Sequence, residues 1–391
     1  MSQMASQTQW IWQQNAWPAL TWDSDTLATR LREVTQLQGT LLGKAGATAN
    51  ATKAESQLNA LLQNIVQSSA IEGEVINVES VRSSLATRLG VKNAGLNTAT
   101  AKTEGLADLL LDATQNYHQP LTLARLYQWH AYLFPEKPEG DFSLTEIAVG
   151  ELRGEEPMQV VSGPHQKRKL HFQAPPKNAS QEYPRSLEEQ LNEFLNWLQT
   201  SAQDTTLDPI LRAAQAHLWF VTLHPFDDGN GRLARVITDY TLAQAEHQAI
   251  RFYAMAASIM EERKGYYDIL ESTQKGGLDI TPWMAWFLER LRHTLAAALE
   301  RIDTVLIKAH FWQTHAQSSL NRHQTKALNR LLDEGPGGFE GGLTAAKYKN
   351  LTKVSKATAT RHLQELLEKG CLEKLDGGGR STKYQINWPK F

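Results

Sequence analysis

The stretch His224-Pro-Phe-Asp-Asp-Gly-Asn-Gly-Arg-Leu-Ala-Arg235 decides how the rest of this chain is read. Upstream, Leu211–Leu223 is an apolar-rich run with helical spacing. Downstream, that spacing resumes from Leu233 to Ala245 through Val236, Ile237, Tyr240 and Leu242. Between the two lies a loop that packing alone does not call for. Gly229, Asn230 and Gly231 let consecutive backbone N–H groups turn inward at a helix N-terminus, an anion cradle suited to nucleotide phosphates. Arg232 and Arg235, three apart, share one helix face and suit phosphate oxygens. Asp228 offers a hard oxygen for Mg²⁺, and His224 is the side chain fit for general-base work at neutral pH. The bland alternative is a Gly-Asn-Gly turn between two core helices, with arginines that only salt-bridge. A base, a metal ligand, a phosphate nest and two cations within twelve residues tell against it.

At every fixed position the segment resembles the signature of the Fic family, H-x-F-x-(D/E)-G-N-G-R-x-x-R. The resemblance implies a mainly α fold, a Fic-type helical core with a β-hairpin flap. It also implies protein AMPylation, in which a target hydroxyl attacks the α-phosphate of ATP and pyrophosphate leaves. His224 would then deprotonate the Ser, Thr or Tyr hydroxyl, and Asp228 would hold Mg²⁺ between the α- and β-phosphates. Gly229, Asn230 and Gly231 would cradle the phosphates, Arg232 would bind the leaving pyrophosphate, and Arg235 the γ-phosphate. Phe226 would be a buried anchor for the loop. Such chemistry needs positioning and charge neutralisation more than covalent help.

The chain has 391 residues, a net charge of −2 and one cysteine, Cys371. That length suits two or three domains. A single cysteine excludes an intrachain disulfide and a thiolate metal cluster. No apolar run approaches a membrane span. The N-terminus lacks the basic and apolar regions of a secretion signal, so a cytoplasmic location is expected and no membrane partner.

Three regions are expected, residues 1–115, 116–300 and 301–391. In the first, Trp10, Trp12 and Trp17 are expected to dock on the body of the protein. Asp25–Leu42 and Thr52–Ile71 are amphipathic helices. Gly73 closes the second helix, and Asn77 caps a third that Gly90 ends. Alone, Ser68-x-x-x-Glu72-Gly73 is a capped helix end with a solvated carboxylate. Beside the Fic signature it resembles the family's inhibitory motif, (S/T)-x-x-x-E-(G/N). The implied role is a Glu72–Arg235 pair that takes the cation the γ-phosphate needs, with Ser68 lining the same pocket.

In the middle region, Leu121–Phe134 reads as a helix capped by Thr122, with His130 a satisfied core histidine. Two short strands follow, Arg153 to Ser162 and Lys169 to Pro176, about a basic turn. A lone hairpin leaves free edges. The family reading makes it a flap that receives the target by strand addition along Val160, Val161 and Ser162. Leu187–Leu198 returns to helix. Ser258–Leu270 resembles the family's helix whose Tyr266-Tyr267 pair lies near the nucleotide. Glu262 stands where many relatives have Asn, so it would accept from the base but not donate. A further helix starts at Ile280-Thr-Pro-Trp283 and runs towards Ile302.

In the last region, Asn321–Leu332, Leu343–Asn350 and Ser355–Lys369 read as helices, followed by strand-like Cys371–Leu375 and Lys383–Ile386. That order is a small α/β winged helix-turn-helix. Residues 321–391 carry 13 Lys and Arg against 7 Asp and Glu, or +6, leaving −8 elsewhere. Lys356, Thr358 and Arg361 on a recognition helix, with Arg380 in the wing, suit DNA. Winged helices also serve as dimer or docking modules, so DNA, a homodimer and another protein all stand as partners.

The leading function is thus an autoinhibited, Mg²⁺-dependent transfer of AMP from ATP to a protein hydroxyl. Other readings keep the fold and use another donor such as UTP, remove AMP, or transfer phosphate from a reversed nucleotide. A non-enzyme reading is an ATP-sensing DNA-bound regulator, against which an intact His224 weighs.

Overall fold

The computed structural model describes residues 10–46, 50–91, 99–135, 147–163, 167–249, 251–335, 341–375 and 382–388. The chain is mainly helical and divides into two compact units, Met1–Gly43 with Ala49–Ala296, and Lys44–Thr48 with Ala297–Phe391. In chain order the helices are α1 (Ser24–Gly46), α2 (Asn50–Ile71), α3 (Val78–Leu89), α4 (Ala101–Gln115), α5 (Leu123–Leu133), α6 (Leu187–Thr200) and α7 (Pro209–Leu223). Then come α8 (Asn230–Glu246), α9 (Met255–Glu261), α10 (Arg263–Gln274), α11 (Thr281–Thr314), α12 (Arg322–Asp333), α13 (Ala345–Thr352) and α14 (Lys356–Glu368). Two antiparallel hairpins are made by β1 (Gln159–Ser162) with β2 (Lys169–Gln173), and by β3 (Leu372–Lys374) with β4 (Tyr384–Ile386).

The first unit is built around α7 and α8. Asp208 caps α7 by accepting from the Ile210 and Leu211 amides, and Pro209 occupies the first turn, where its missing N–H costs nothing. From Ile210 to Leu223 every residue of α7 is buried, as an all-round apolar helix requires. Its one charged side chain is satisfied inside. Arg212 donates to Ser201 Oγ (2.8 Å), Leu198 O (2.5 Å) and Gln244 Oε1 (2.9 Å), so the charge is buried with partners. The tryptophans dock as expected: Trp12 Nε1 donates to Gln173 O at 2.7 Å, Trp10 meets Phe172 edge-on and Trp17 meets Trp219. Asn77 caps α3 and Gly90 closes it in the left-handed region. Thr122 caps α5, and His130 is fully buried.

Four elements depart from the sequence reading. β1 starts at Gln159, not Arg153, because Arg153 is drawn into the core. α8 starts at Asn230, so the glycine loop is itself the first helical turn. The helix expected over Ser258–Leu270 is two, α9 and α10, broken at Glu262 (φ −113°, ψ 33°). α11 runs on to Thr314, past the expected end.

In the second unit α12, α13, α14, β3 and β4 enclose a core that includes Phe311, Leu328, Tyr348, Leu363, Leu366 and Ile386. Leu343 adds a bridge to Tyr384 beside the β3–β4 pair. Arg380, expected in the wing, lies outside the described residues.

Candidate active site

The loop between α7 and α8 is held from three sides. Phe226, fully buried, stacks on His130 with ring centroids 4.1 Å apart and planes 9° apart. His130 Nδ1 accepts from the Gly150 amide (3.0 Å), which leaves Nε2–H to donate to Asp228 O (3.2 Å). Asn230 Oδ1 accepts from Phe226 N (3.0 Å) and its Nδ2 donates to Phe226 O (2.8 Å). The Asn230 side-chain amide is thus a clamp inside the loop, which leaves its backbone N–H to the cradle as expected. Arg153 is the third support. Its backbone N–H donates to Pro225 O (3.0 Å), Nε to His224 O (2.9 Å) and Nη2 to Pro175 O (2.5 Å). Burial pulls its guanidinium down to about 10, against the opposing Asp227 charge. Sequence reading missed Arg153, which lies 71 residues from the histidine whose carbonyl it holds.

His224 ends α7 in the left-handed region (φ 48°, ψ 58°), a conformation rare outside glycine and concentrated at functional sites. Its Nδ1 is 3.2 Å from Val221 O. A carbonyl only accepts, so Nδ1 carries the proton and Nε2 keeps its lone pair. Burial first, then the Arg153 charge, push the imidazole down to about 4 against the opposing Val221 bond. The ring is neutral at pH 7.

Gly229 (φ 82°) precedes α8, and no side chain caps that helix start. Its first-turn amides therefore remain for an anion. Asp228 Oδ1 accepts from the Gly229 amide (2.6 Å), and Oδ2 lies 3.7 Å from Arg232 Nη2 with the side chain 59% exposed. Among the described residues no cluster of three or more His, Cys, Asp or Glu is arranged for a metal. An exposed carboxylate beside a phosphate cradle still fits Mg²⁺, which takes one or two carboxylates plus substrate phosphates.

A cavity of about 550 Å³ opens over this loop, walled by Val160, Val161 and Ser162 of β1, by His224 and Asp227–Gly231, and by the α10 residues Arg263, Tyr266, Tyr267, Leu270, Glu271 and Gln274. That volume suits a nucleotide-sized ligand. Val160 and Val161 are 36% and 39% exposed on a strand that, among the described residues, pairs in its sheet with β2 alone. Register slips between Val160 and Val161, so His171 is the bulged residue. It is held between Ser162 Oγ and Glu271 Oε2, each at 2.5 Å.

Arg232 and Arg235 do not line this cavity. Arg235 Nη2 donates to Glu72 Oε1 (2.6 Å) and Ser68 O (3.1 Å), and Nε donates to Ser68 Oγ (2.8 Å). The expected Glu72–Arg235–Ser68 contact is therefore formed. Glu72 lies so close over the cradle that a Cβ on Gly231 would fall 2.3 Å from its Oε1. Burial pushes the Glu72 carboxyl up, but the Arg235 charge and hydrogen bond and the Arg232 charge outweigh it and hold it below its ordinary range. A second carboxylate was not foreseen. Glu74, beyond Gly73, accepts from Arg232 Nη1 at 2.9 Å and lies 3.4 Å from Lys102 Nζ, while the Arg232 guanidinium sits 4.9 Å over the Phe134 ring.

Of the expected nucleotide contacts, Tyr266 and Tyr267 line the cavity and Glu262 does not. Glu262 is exposed at the α9–α10 break and does not line the cavity, because the helix it was placed on is interrupted there. Tyr266 walls the cavity with its ring, but its hydroxyl is spent inside. The Thr238 hydroxyl donates to Ala234 O (2.9 Å), so His217 Nδ1 donates to Thr238 and His217 Nε2 accepts from Tyr266 OH at 2.9 Å. Tyr267 is the more accessible of the pair, with its hydroxyl 3.4 Å from Glu72 Oε2. Gln274, which sequence reading passed over, does line the cavity, with its Nε2 donating to Thr222 Oγ1 at 3.2 Å.

Residues 120–242 match the Fic/DOC family, and residues 10–91 match a domain of unknown function, DUF4172. Over 248 residues the chain is 27% identical to Protein adenylyltransferase Fic of Aedes aegypti, covering 61% of this chain and 42% of that protein. It is 34% identical over 131 residues to Uridine 5'-monophosphate transferase of Xanthomonas campestris pv. campestris (strain 8004), covering 32% and 21%. The chain spans about half the length of the curated adenylyltransferases it matches. Its fold is similar to the crystal structure of a Fic family protein from Desulfovibrio desulfuricans G20, with TM-score 0.51, 16% identity and 94% and 97% of the two chains covered. Family match, relatives and fold agree with the loop geometry: residues 120–242 of the chain form a Fic/DOC family domain.

Proposed function

We propose that this chain is an autoinhibited AMP transferase that moves AMP from ATP to a Ser, Thr or Tyr hydroxyl of a protein and releases pyrophosphate. One observation carries the reading: a neutral imidazole with its free nitrogen at a phosphate cradle, beside two arginines that the chain itself occupies with carboxylates. In the step proposed, the target hydroxyl loses its proton to His224 Nε2 and its oxygen bonds to the α-phosphorus. The bond from that phosphorus to the β-phosphate bridging oxygen breaks. The α8 amides hold the phosphate oxygens, Arg232 and Arg235 neutralise the leaving end, and the β1 edge aligns the target backbone. Mg²⁺ on Asp228 would add charge neutralisation. In the state described here Glu72 and Glu74 hold both guanidiniums, so a triphosphate must displace two carboxylates before its far end is gripped.

The test supplies Glu72→Gly protein with ATP labelled on the α- or the γ-phosphate and scores label on protein. Label from α alone is expected, and His224→Ala removes it. Label from γ would replace the proposal with phosphorylation, and label from neither with nucleotide sensing. The uridylyl-transferring relative makes UTP the necessary second donor: stronger transfer from α-labelled UTP than from ATP would overturn the choice of base.

A further inference from the structure

We propose that the second unit binds duplex DNA, with α14 seated in the major groove. Residues 341–364 contain five cations, Lys347, Lys349, Lys353, Lys356 and Arg361, and no Asp or Glu. The fold gathers them at one place. α13 and α14 are joined by Lys353-Val354-Ser355, with Lys353 in the left-handed region (φ 59°) and Ser355 capping α14 through the Thr358 amide. Such a three-residue turn between short helices is the geometry that presents a second helix to a groove. The inward face of α14 is fixed by buried Ala359, Leu363 and Leu366, and by His362, whose Nδ1 lies 3.1 Å from Tyr348 OH. That leaves Lys356, Ala357, Thr360, Arg361 and Gln364 outward over the first three turns, and Glu368 at the far end, where its Oε1 accepts from Gln364 Nε2 at 3.1 Å. Lys349 and Lys353 flank them, both exposed. Arg361 is 70% exposed and meets Glu365 only at 3.7 Å.

The chemistry of that face selects the partner. A protein-docking surface has an apolar or aromatic centre within a polar rim. Here the sole outward apolar side chain is Ala357; from Lys356 to Gln364 the rest are cations and amide or hydroxyl groups, the set that pairs with phosphates and base edges, and the one outward carboxylate, Glu368, lies at the end of the helix away from the turn. Charge separation supports this: residues 321–391 carry +6 in a chain of net −2. The exposed lysines about the turn hold phosphates, while Arg361 and Gln364 reach base edges.

The test uses the full chain and a fluorescent random-sequence B-form duplex, with affinity followed by anisotropy over a range of salt. Binding that weakens steeply with salt is expected. Lys356→Ala/Arg361→Ala should lower the slope of log K against log salt by about one for each phosphate that is no longer neutralised. An Arg32→Ala/Lys264→Ala control removes the same charge from exposed sites in the first unit and should leave the slope unchanged. Unaltered circular-dichroism melting shows that each variant is folded. His224→Ala should bind duplex as the parent does, so failure of AMP transfer and failure of this proposal are read separately. No binding at low salt, or equal loss in the α14 and control variants, overturns it and returns α14 to a protein partner.

Discussion

At the residue scale the proposed brake rests on two ion pairs of unequal reach. Glu72 holds Arg235 through one guanidinium nitrogen while Ser68 takes another, and Glu74 holds Arg232 with Lys102 behind it. Removing a competitor worth about 3 kcal/mol corresponds to roughly a hundredfold in occupancy of the freed site. Glu72→Gly is therefore expected to raise AMP transfer by about that factor or more, and Glu74→Ala by about tenfold. The double variant should exceed either, measured as initial rates at subsaturating ATP. If Glu74→Ala is silent in both backgrounds, Arg232 takes no part in gripping the triphosphate. The base makes a separate pH statement. Because the folded imidazole of His224 is pushed down to about 4, it is protonated only below that value and free above it. In the Glu72→Gly protein, kcat/KM should hold level between pH 5 and 7 as far as His224 governs it, then fall as pH drops through about 4. A limb near the ordinary histidine value, removed by no other substitution, would show the ring solvated and differently held.

At the scale of elements, α2 is the moving part of the proposed brake and α8 the part it grips. Their contact is not limited to Glu72. Asn64 Nδ2 donates to Asp239 Oδ2 at 2.5 Å, buried, between α2 and α8. Leaving that carboxylate without the amide costs about 1–3 kcal/mol. Asn64→Ala should therefore loosen α2 and raise basal transfer with Glu72 intact, yet add little in the Glu72→Gly background. That non-additivity, read from a double-mutant cycle, is the signature of one shared effect. Additive gains would mean that Asn64 acts on the site by another route. The elements themselves were largely legible, because their signals are local: Asp208-Pro209 starts α7, Asn77 starts α3, and Thr122 starts α5. Where reading failed, tertiary packing overrode pattern. Arg153 sits in an extended stretch that looks like strand, but its backbone N–H and its guanidinium donate to three backbone carbonyls near the loop and pull the chain inward. The Glu262 break in the α9–α10 run carries no proline or glycine to announce it.

At the scale of the whole molecule, the same contrast explains what the sequence could disclose about the site. Base, carboxylate, cradle and both arginines are contiguous, so spacing alone joined them. Glu74 and Arg232 are 158 residues apart, and only the fold brings them together. Gln274 was hidden because its cavity face depends on where α10 begins. Each of the two compact units also has its own buried core, that of the second running from Phe311 to Ile386. A ligand of the first unit should then stabilise that unit alone. ATP with Mg²⁺ at a hundredfold excess over its dissociation constant adds about 2.7 kcal/mol to whatever it binds. In calorimetry of the Glu72→Gly protein, nucleotide should move one transition upward and leave a second, smaller one in place. The parent should shift less at equal nucleotide, since part of the binding energy goes into displacing Glu72 and Glu74. A single transition moving as one would show that the units unfold together, and an equal shift in parent and variant would show that the carboxylates do not compete with the triphosphate.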